Sequence, residues 1–341
     1  MPKTKDRSIS LALQGGGAHG AFTWGVLDRL IEEPGFSIKA ITATSAGAAN
    51  AVAFAAGLAE GGDDGAKAGL ERLWRTVSQK GAPFSAFSWS NSPFSALPYG
   101  PIHLAMAFTS IASPYEFNPF DINPLRDALD EAVDFDAVHT APVDLFLSAT
   151  NVETGRVKVF QDGEISRDAV LASACLPQTF RAVEINGNAY WDGGYMGNPS
   201  LFPLIYAKAP RDVLLVLLNP ISRLGVPRRV PEIMDRLNEI SFNASLIGEL
   251  RAIAFVQKLL DDGMLKESLM KKYRRLNVHA VRGGQVLQDL SLQTKYDTSW
   301  SFLTDLRDKG RAEADRWLGS CAHYIGTGES SLDLRKEFLE A

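Results

Sequence analysis

The chain has 341 residues, enough for one large α/β domain or two small ones with a sizeable core. Hydrophobic residues make up 45% and charged residues 22%, proportions that exclude a disordered or collagen-like chain. A net charge of −5 argues against a nucleic-acid partner, because phosphate binding needs a basic face.

The two cysteines, Cys175 and Cys321, lie far apart without ligand-like spacing. They point to a reducing cytoplasm, with neither a disulfide framework nor a zinc site. Behind the charged stretch Lys3 to Arg7 there is no signal-peptide core, and no apolar run is long enough to cross a bilayer. We therefore expect a soluble protein, or one that sits peripherally on a membrane or lipid surface.

Ser8 to Leu13 alternates polar and apolar residues and predicts a first strand. A glycine turn follows at Gly15-Gly16-Gly17-Ala18-His19-Gly20, then a helical pattern through Phe22, Val26, Leu27, Leu30 and Ile31 up to Pro34-Gly35. Ile38 to Ala43 predicts a second strand, and Ala46 to Ala59 a helix of very small residues suited to close packing on a sheet. Residues 63 to 80 are predicted helical. Strand–turn–helix repeated twice predicts a mostly parallel sheet with helices on both faces.

Between Gly81 and Tyr115 there is no Asp, Glu, Lys or Arg, but there are five prolines and seven aromatics. This insert reads either as a buried cap or as a lid over an apolar binding pocket. Further helices are expected at 123 to 133 and 166 to 174, and strands at 143 to 149, 157 to 160 and 189 to 191. Val213 to Leu218 is an uninterrupted apolar run, as in a strand buried on both faces. A connector at 219 to 231 leads to helices at 233 to 260 and 300 to 318, with a strand at 276 to 281 between them. The tail from Gly326 is expected to fray. Residues 8 to 220 thus read as the α/β part of one domain, and 221 to 325 as a helical extension packed on it.

Three features bear chemistry. The glycine turn lets successive backbone N–H groups point into one concavity at a helix start, a place for a phosphate or an oxyanion. Gly15, Gly17 and Gly20 also fit G-x-G-x-x-G, but the second strand ends in Ala43-Thr44-Ser45, without the acidic residue that dinucleotide binding wants. Ser45, in Ala43-Thr44-Ser45-Ala46-Gly47, has the strand-to-helix setting of a nucleophile elbow. Its plain alternative is a helix cap. Asp192-Gly193-Gly194 ends a strand, and Asp-Gly alone is usually a turn. A serine nucleophile needs a base, yet none of His19, His103, His139, His279 and His323 follows a strand end as a triad histidine does.

Taken together, Gly-Gly-Gly-x-x-Gly, Ser45 in x-x-Ser-x-Gly and the distant Asp-Gly-Gly resemble the patatin-like phospholipases. Ser173-Ala174-Cys175-Leu176-Pro177 and Asn198-Pro199 are similar to bacterial members as well. The resemblance implies a three-layer patatin-like α/β fold and a Ser-Asp dyad without histidine, cofactor or metal. It makes Ser45 the nucleophile and Asp192 the base, with an oxyanion hole from the N–H groups of Gly16, Gly17 and Ala18. The implied substrate is a lipid or other acyl ester. Two residues depart from the family pattern. Ala43 replaces the first elbow glycine, and His19 stands where many bacterial relatives carry Arg. Acyl transfer, hydrolysis of a storage polyester, and a catalytically silent lipid-binding role remain as alternatives. The head group, chain length and oligomeric state are not encoded in these motifs.

Overall fold

A computed structural model describes residues 7–85, 112–207, 209–264 and 275–340. In chain order its elements are β1 (Arg7–Leu13), α1 (Gly20–Ile31), β2 (Phe36–Thr44), α2 (Ala46–Ser85), α3 (Pro114–Phe117), α4 (Pro124–Ala132) and α5 (Phe135–Thr140). Then come β3 (Asp144–Asn151), β4 (Val157–Gln161), α6 (Arg167–Ser173), β5 (Val183–Ile185), β6 (Asn188–Asp192), α7 (Phe202–Tyr206) and β7 (Asp212–Leu217). The C-terminal part adds α8 (Val230–Asp261), β8 (Asn277–Arg282), α9 (Gly284–Gln288), α10 (Trp300–Cys321) and α11 (Leu334–Phe338). Gly61 and Gly62 break α2 into two helices.

The strands form one sheet in the order β5-β6-β3-β2-β1-β7-β8, with β4 also paired to β3. The pairs β3–β2, β2–β1, β1–β7 and β7–β8 are parallel, while β4, β5 and β6 join antiparallel. Alternation along the strands sorts side chains onto two faces. Leu11, Leu13, Ile41, Leu147, Leu214 and Val216 meet α1, α2 and α10 on one face. Ala12, Ala40, Phe146, Val213 and Leu215 meet Leu246, Leu250 and Ile253 of α8 on the other. The fold is thus α/β, with a mostly parallel sheet between helical layers.

The tail does not fray at Gly326: Leu334 and Phe338 of α11 are buried with the α8 side chains, and the Asp333 carboxylate accepts the Lys336 N–H. The physical reason is a one-turn amphipathic helix, whose two apolar residues stand four apart on one face. Most of the uncharged insert, residues 86–111 with Trp89, Phe94 and His103, lies outside the described residues, as do Lys271, Lys272 and Arg274, which the sequence groups with Arg275 into a basic cluster. Arg275 is paired with Asp261.

Candidate active site

Parallel pairing brings the three motifs together. Leu13 at the end of β1 is in register with Ala43 of β2, and Thr44 at the end of β2 with Ser148 of β3. Asp192 at the end of β6 is in register with Ala149, the next residue of β3. The glycine turn, Ser45 and Asp192 therefore leave one sheet end side by side, with β3 alone between the serine and aspartate strands.

Ser45 has φ of 55°, left-handed backbone that a non-glycine residue adopts only under constraint. A capping serine would have extended backbone, so the helix-cap alternative does not hold. The turn is fastened by a relay: the Ser45 N–H donates to Ser173 Oγ at 2.8 Å, and Ser173 Oγ–H donates to the Ser148 carbonyl at 2.7 Å. Small residues make the turn possible. A Cβ on Gly47 would lie 2.5 Å from the Leu13 carbonyl oxygen, and one on Gly15 2.6 Å from Ser45 Cβ. Ala43 needs no replacement by glycine, because it is an ordinary strand residue paired to β1.

Asp192 is 1% exposed. Its Oδ1 accepts the Gly194 N–H at 2.6 Å, while Oδ2 is buried without a well-formed hydrogen bond. Burial pushes the carboxyl up to about 6, and the Gly194 N–H, the Ser45 hydroxyl and Lys295 pull the other way. The Ser45 hydroxyl is thus near enough to stabilise the carboxylate. Gly193 and Gly194 are fixed by contact: a Cβ would lie 2.1 Å from the Ser148 carbonyl oxygen at the first and 2.3 Å from the Phe242 ring at the second.

The glycine turn is anchored from both sides. The Gly15 N–H donates to Asn198 Oδ1 at 2.7 Å, and the Gly15 carbonyl accepts from Asn219 Nδ2 at 3.1 Å. Gln14 reaches Leu218 and Asn219 through Oε1 and Asn243 through Nε2. With Gly15 spent on Asn198, no hydrogen bond among the described residues engages the N–H groups of Gly16, Gly17 or Ala18. Gly17 has φ of 57°, which turns the chain into the short helical turn Gly17–His19 before α1. Such donors beside a serine hydroxyl can receive a developing oxyanion.

His19 faces the interior. It is 3% exposed, its Nε2 pairs with Thr294 Oγ1 at 2.7 Å, and burial lowers it to about 3. A neutral ring so placed docks the turn onto the C-terminal part. His279 is buried against Asp212 and Ser331, remote from the site. Cys175, its thiol pushed up to about 12 chiefly by burial, packs below Asp192 and accepts the Asp192 N–H through its own carbonyl. Among the described residues no His, Cys, Asp and Glu cluster could hold a metal ion.

The sequence patterns missed the residues that brace these motifs: Asn219, Phe242 and above all Lys295. Each stands alone between elements or within a helix, and no local spacing ties it to the glycine turn.

A family model described as patatin-like phospholipase matches residues 11–207, more than half of the chain. Among solved structures the chain is similar to VipD from Legionella pneumophila, at 13% identity and a TM-score of 0.37, over 99% of this chain and 79% of that one. It is also similar to a chain of the complex of full-length SpcU with full-length ExoU, from the type III secretion system of Pseudomonas aeruginosa. That likeness has 14% identity and a TM-score of 0.30, over 97% of this chain and 76% of that one. No curated protein matches the sequence.

Proposed function

The chain belongs to the patatin-like phospholipase family, and from that premise we propose that it hydrolyses lipid acyl esters with Ser45 as nucleophile and Asp192 as general base. The N–H groups of Gly16, Gly17 and Ala18 form the oxyanion hole in this proposal. The observation that carries it is the Ser45 hydroxyl, presented from left-handed backbone, within reach of the buried Asp192 carboxyl.

Asp192 takes the Ser45 hydroxyl proton as Oγ bonds to the ester carbonyl carbon. The oxyanion accepts the free backbone donors, each worth roughly 10²–10³ in rate at sites of this kind. Collapse breaks the ester bond, and the departing alcohol takes the proton from Asp192. Water then attacks the acyl-serine and gives its proton to Asp192, which returns it to Ser45 as the fatty acid leaves. A carboxyl near 6 suits both directions of transfer. Neither metal nor cofactor enters these steps.

The substrate partner of this proposal is a lipid surface. Val230, Ile233, Met234, Leu237 and Ile240 form an exposed stripe at helical spacing along α8, preceded by exposed Leu224 and Val226. Arg228 and Arg229 flank its start, and the same helix carries Phe242 to the Asp192 turn. A basic rim on an apolar stripe suits an anionic bilayer. Among the described residues no helix is long and apolar enough to cross a membrane.

The test is labelling by an alkyl fluorophosphonate. We expect one covalent adduct on wild type, none on Ser45→Ala, and loss of ester hydrolysis in the same variant. An adduct on another residue, or turnover retained in Ser45→Ala, overturns the assignment. Acyl transfer and polyester hydrolysis share the acyl-serine and are separated by a screen of acceptors and chain lengths.

A further inference from the structure

Beside the glycine turn lies a small pocket of about 20 Å³, enough for a water, with both polar and apolar side chains around it. His19, Asn219, Asp235, Asn238, Glu239 and Lys295 line it. The Lys295 ammonium donates to Asn219 Oδ1 at 2.9 Å and to Asn238 Oδ1 at 2.8 Å, and lies 5.7 Å from the Phe242 ring centroid. No carboxylate of the described residues is in ion-pair contact with it.

The two amides are not arbitrary. Asn219 also donates to the Gly15 carbonyl, so the lysine is one bond removed from the glycine turn. Phe242 packs on Gly194, whose N–H holds Asp192, and its carbonyl accepts from Asn198, the partner of the Gly15 N–H. The Lys295 backbone itself presses on the turn: a Cβ on Gly17 would lie 2.4 Å from the Lys295 carbonyl oxygen.

We propose that Lys295 is a positioning residue of the active site, its ammonium held by Asn219 and Asn238, and that it fixes the glycine turn and supplies the positive charge facing Asp192. The proposal rests on the Ser45–Asp192 assignment and adds to it the role of a residue outside the stretch matched by the family model. It also answers the absence of a cation at position 19, since His19 is neutral.

The charges around the ammonium fix its consequences. Asp192 faces it from β6, Asp235 and Glu239 from α8, and neutral His19 from the glycine turn. Glu239 is already paired with Arg223 and Arg236, and Asp235 accepts the Leu292 N–H. Burial lowers Lys295 to about 8, and Lys295 in turn holds the Asp192 carboxyl below where burial alone would put it. The charge therefore acts on the base in acid solution and on the oxyanion up to mildly alkaline pH.

The experiment is the pH profile of kcat/KM on a soluble short-chain aryl ester, with folding checked by thermal melting. For Lys295→Met we expect at least a tenfold loss at pH 6.5 and an acid limb moved up by roughly half a unit to one unit. We also expect the alkaline fall above about pH 8 to disappear. Lys295→Arg keeps the charge, so its acid limb should stay in place while its alkaline limb moves beyond reach. A purely structural lysine would cost melting temperature and amplitude in both variants but leave the limbs where they are, and that outcome overturns the proposal. If Lys295→Met fails to fold, the alkaline limb of Lys295→Arg decides alone: an unmoved limb overturns it. Failure of the dyad itself registers separately, as turnover in Ser45→Ala.

Discussion

Asp192 is an acid forced to carry charge in the interior, and the sign of that cost can be measured. Its ordinary carboxyl value is 3.8, and burial brings it to about 6 in the folded chain. A carboxyl raised on folding adds stability that is fully present below the unfolded value and is lost as pH rises through the folded one. At neutral pH the ionised aspartate therefore costs the fold about 1–3 kcal/mol. Asp192→Asn keeps the shape, and its amide oxygen can still accept the Gly194 N–H. We expect a 10²–10⁴-fold loss of hydrolysis, the span for removing a general base, together with a higher melting temperature than wild type at pH 7.5. The melting gain should shrink towards pH 4. In wild type, hydrolysis should fall as pH drops through about 6. An inactive variant that melts lower at neutral pH would show Asp192 to be a structural member of the turn. The turns that present Ser45 and Asp192 were legible because each is built of small residues beside a strand end, and such turns leave a local pattern. Lys295, Asn219 and Phe242 were not, because each reaches the site through tertiary contact from a position whose neighbours in sequence say nothing about it.

At the scale of elements, β1 was legible by its alternation of polar and apolar residues and β7 as an uninterrupted apolar run, and the order strand–turn–helix pointed to a mostly parallel sheet, as the β1–β2 and β1–β7 pairs are. The antiparallel attachment of β5 and β6 was not, since two short strands at one sheet edge carry no signal of direction. Helix α8 was legible as a periodic segment, but its two halves differ. From Phe242 on, one side is buried with the sheet, whereas the first three turns keep their apolar side in solvent. Periodicity reports a stripe and not what the stripe meets. If it meets lipid, Leu237→Asp should leave hydrolysis of a soluble short-chain ester within about twofold. The same change should weaken sedimentation with anionic phosphatidylglycerol vesicles severalfold, because a charge replaces roughly 1.5–3 kcal/mol of apolar burial. Hydrolysis of the vesicle lipid should fall with it. Unchanged vesicle binding, accompanied by dissociation of a dimer, would assign the face to a second copy of the chain instead.

The whole molecule raises the question of where its catalytic unit ends. Residues 221 to 325 read as an extension by sequence, because the motifs stop near 200 and helical periodicity follows. Contacts argue for a single unit reaching further. β8 extends the sheet beside β7, α11 closes the face under α8, and α10 lies along α1. We propose that the chain from β1 to α11 unfolds as one cooperative body, and the crossing of α1 and α10 offers the sharpest test. A Cβ on Gly25 would come within 1.9 Å of the Arg307 carbonyl oxygen, and one on Gly310 within 2.0 Å of the Phe22 carbonyl oxygen. Both obstacles are backbone, so neither can rotate away; the helices must part, opening the contact between Trp24 and Trp300. Overpacking of that kind costs about 1–3 kcal/mol or more. Gly319, also in α10, meets nothing within 4 Å, and an alanine there should gain up to about 1 kcal/mol of helix propensity. We therefore expect Gly25→Ala to lower the melting temperature of the entire chain in one calorimetric transition, with esterase activity lost in that same transition. Gly319→Ala should melt at or above wild type with activity unchanged. Two transitions in Gly25→Ala, with activity following only the upper one, would make the C-terminal part a separate domain. Melting of Gly25→Ala at the wild-type temperature would mean that the helices cross with room to spare.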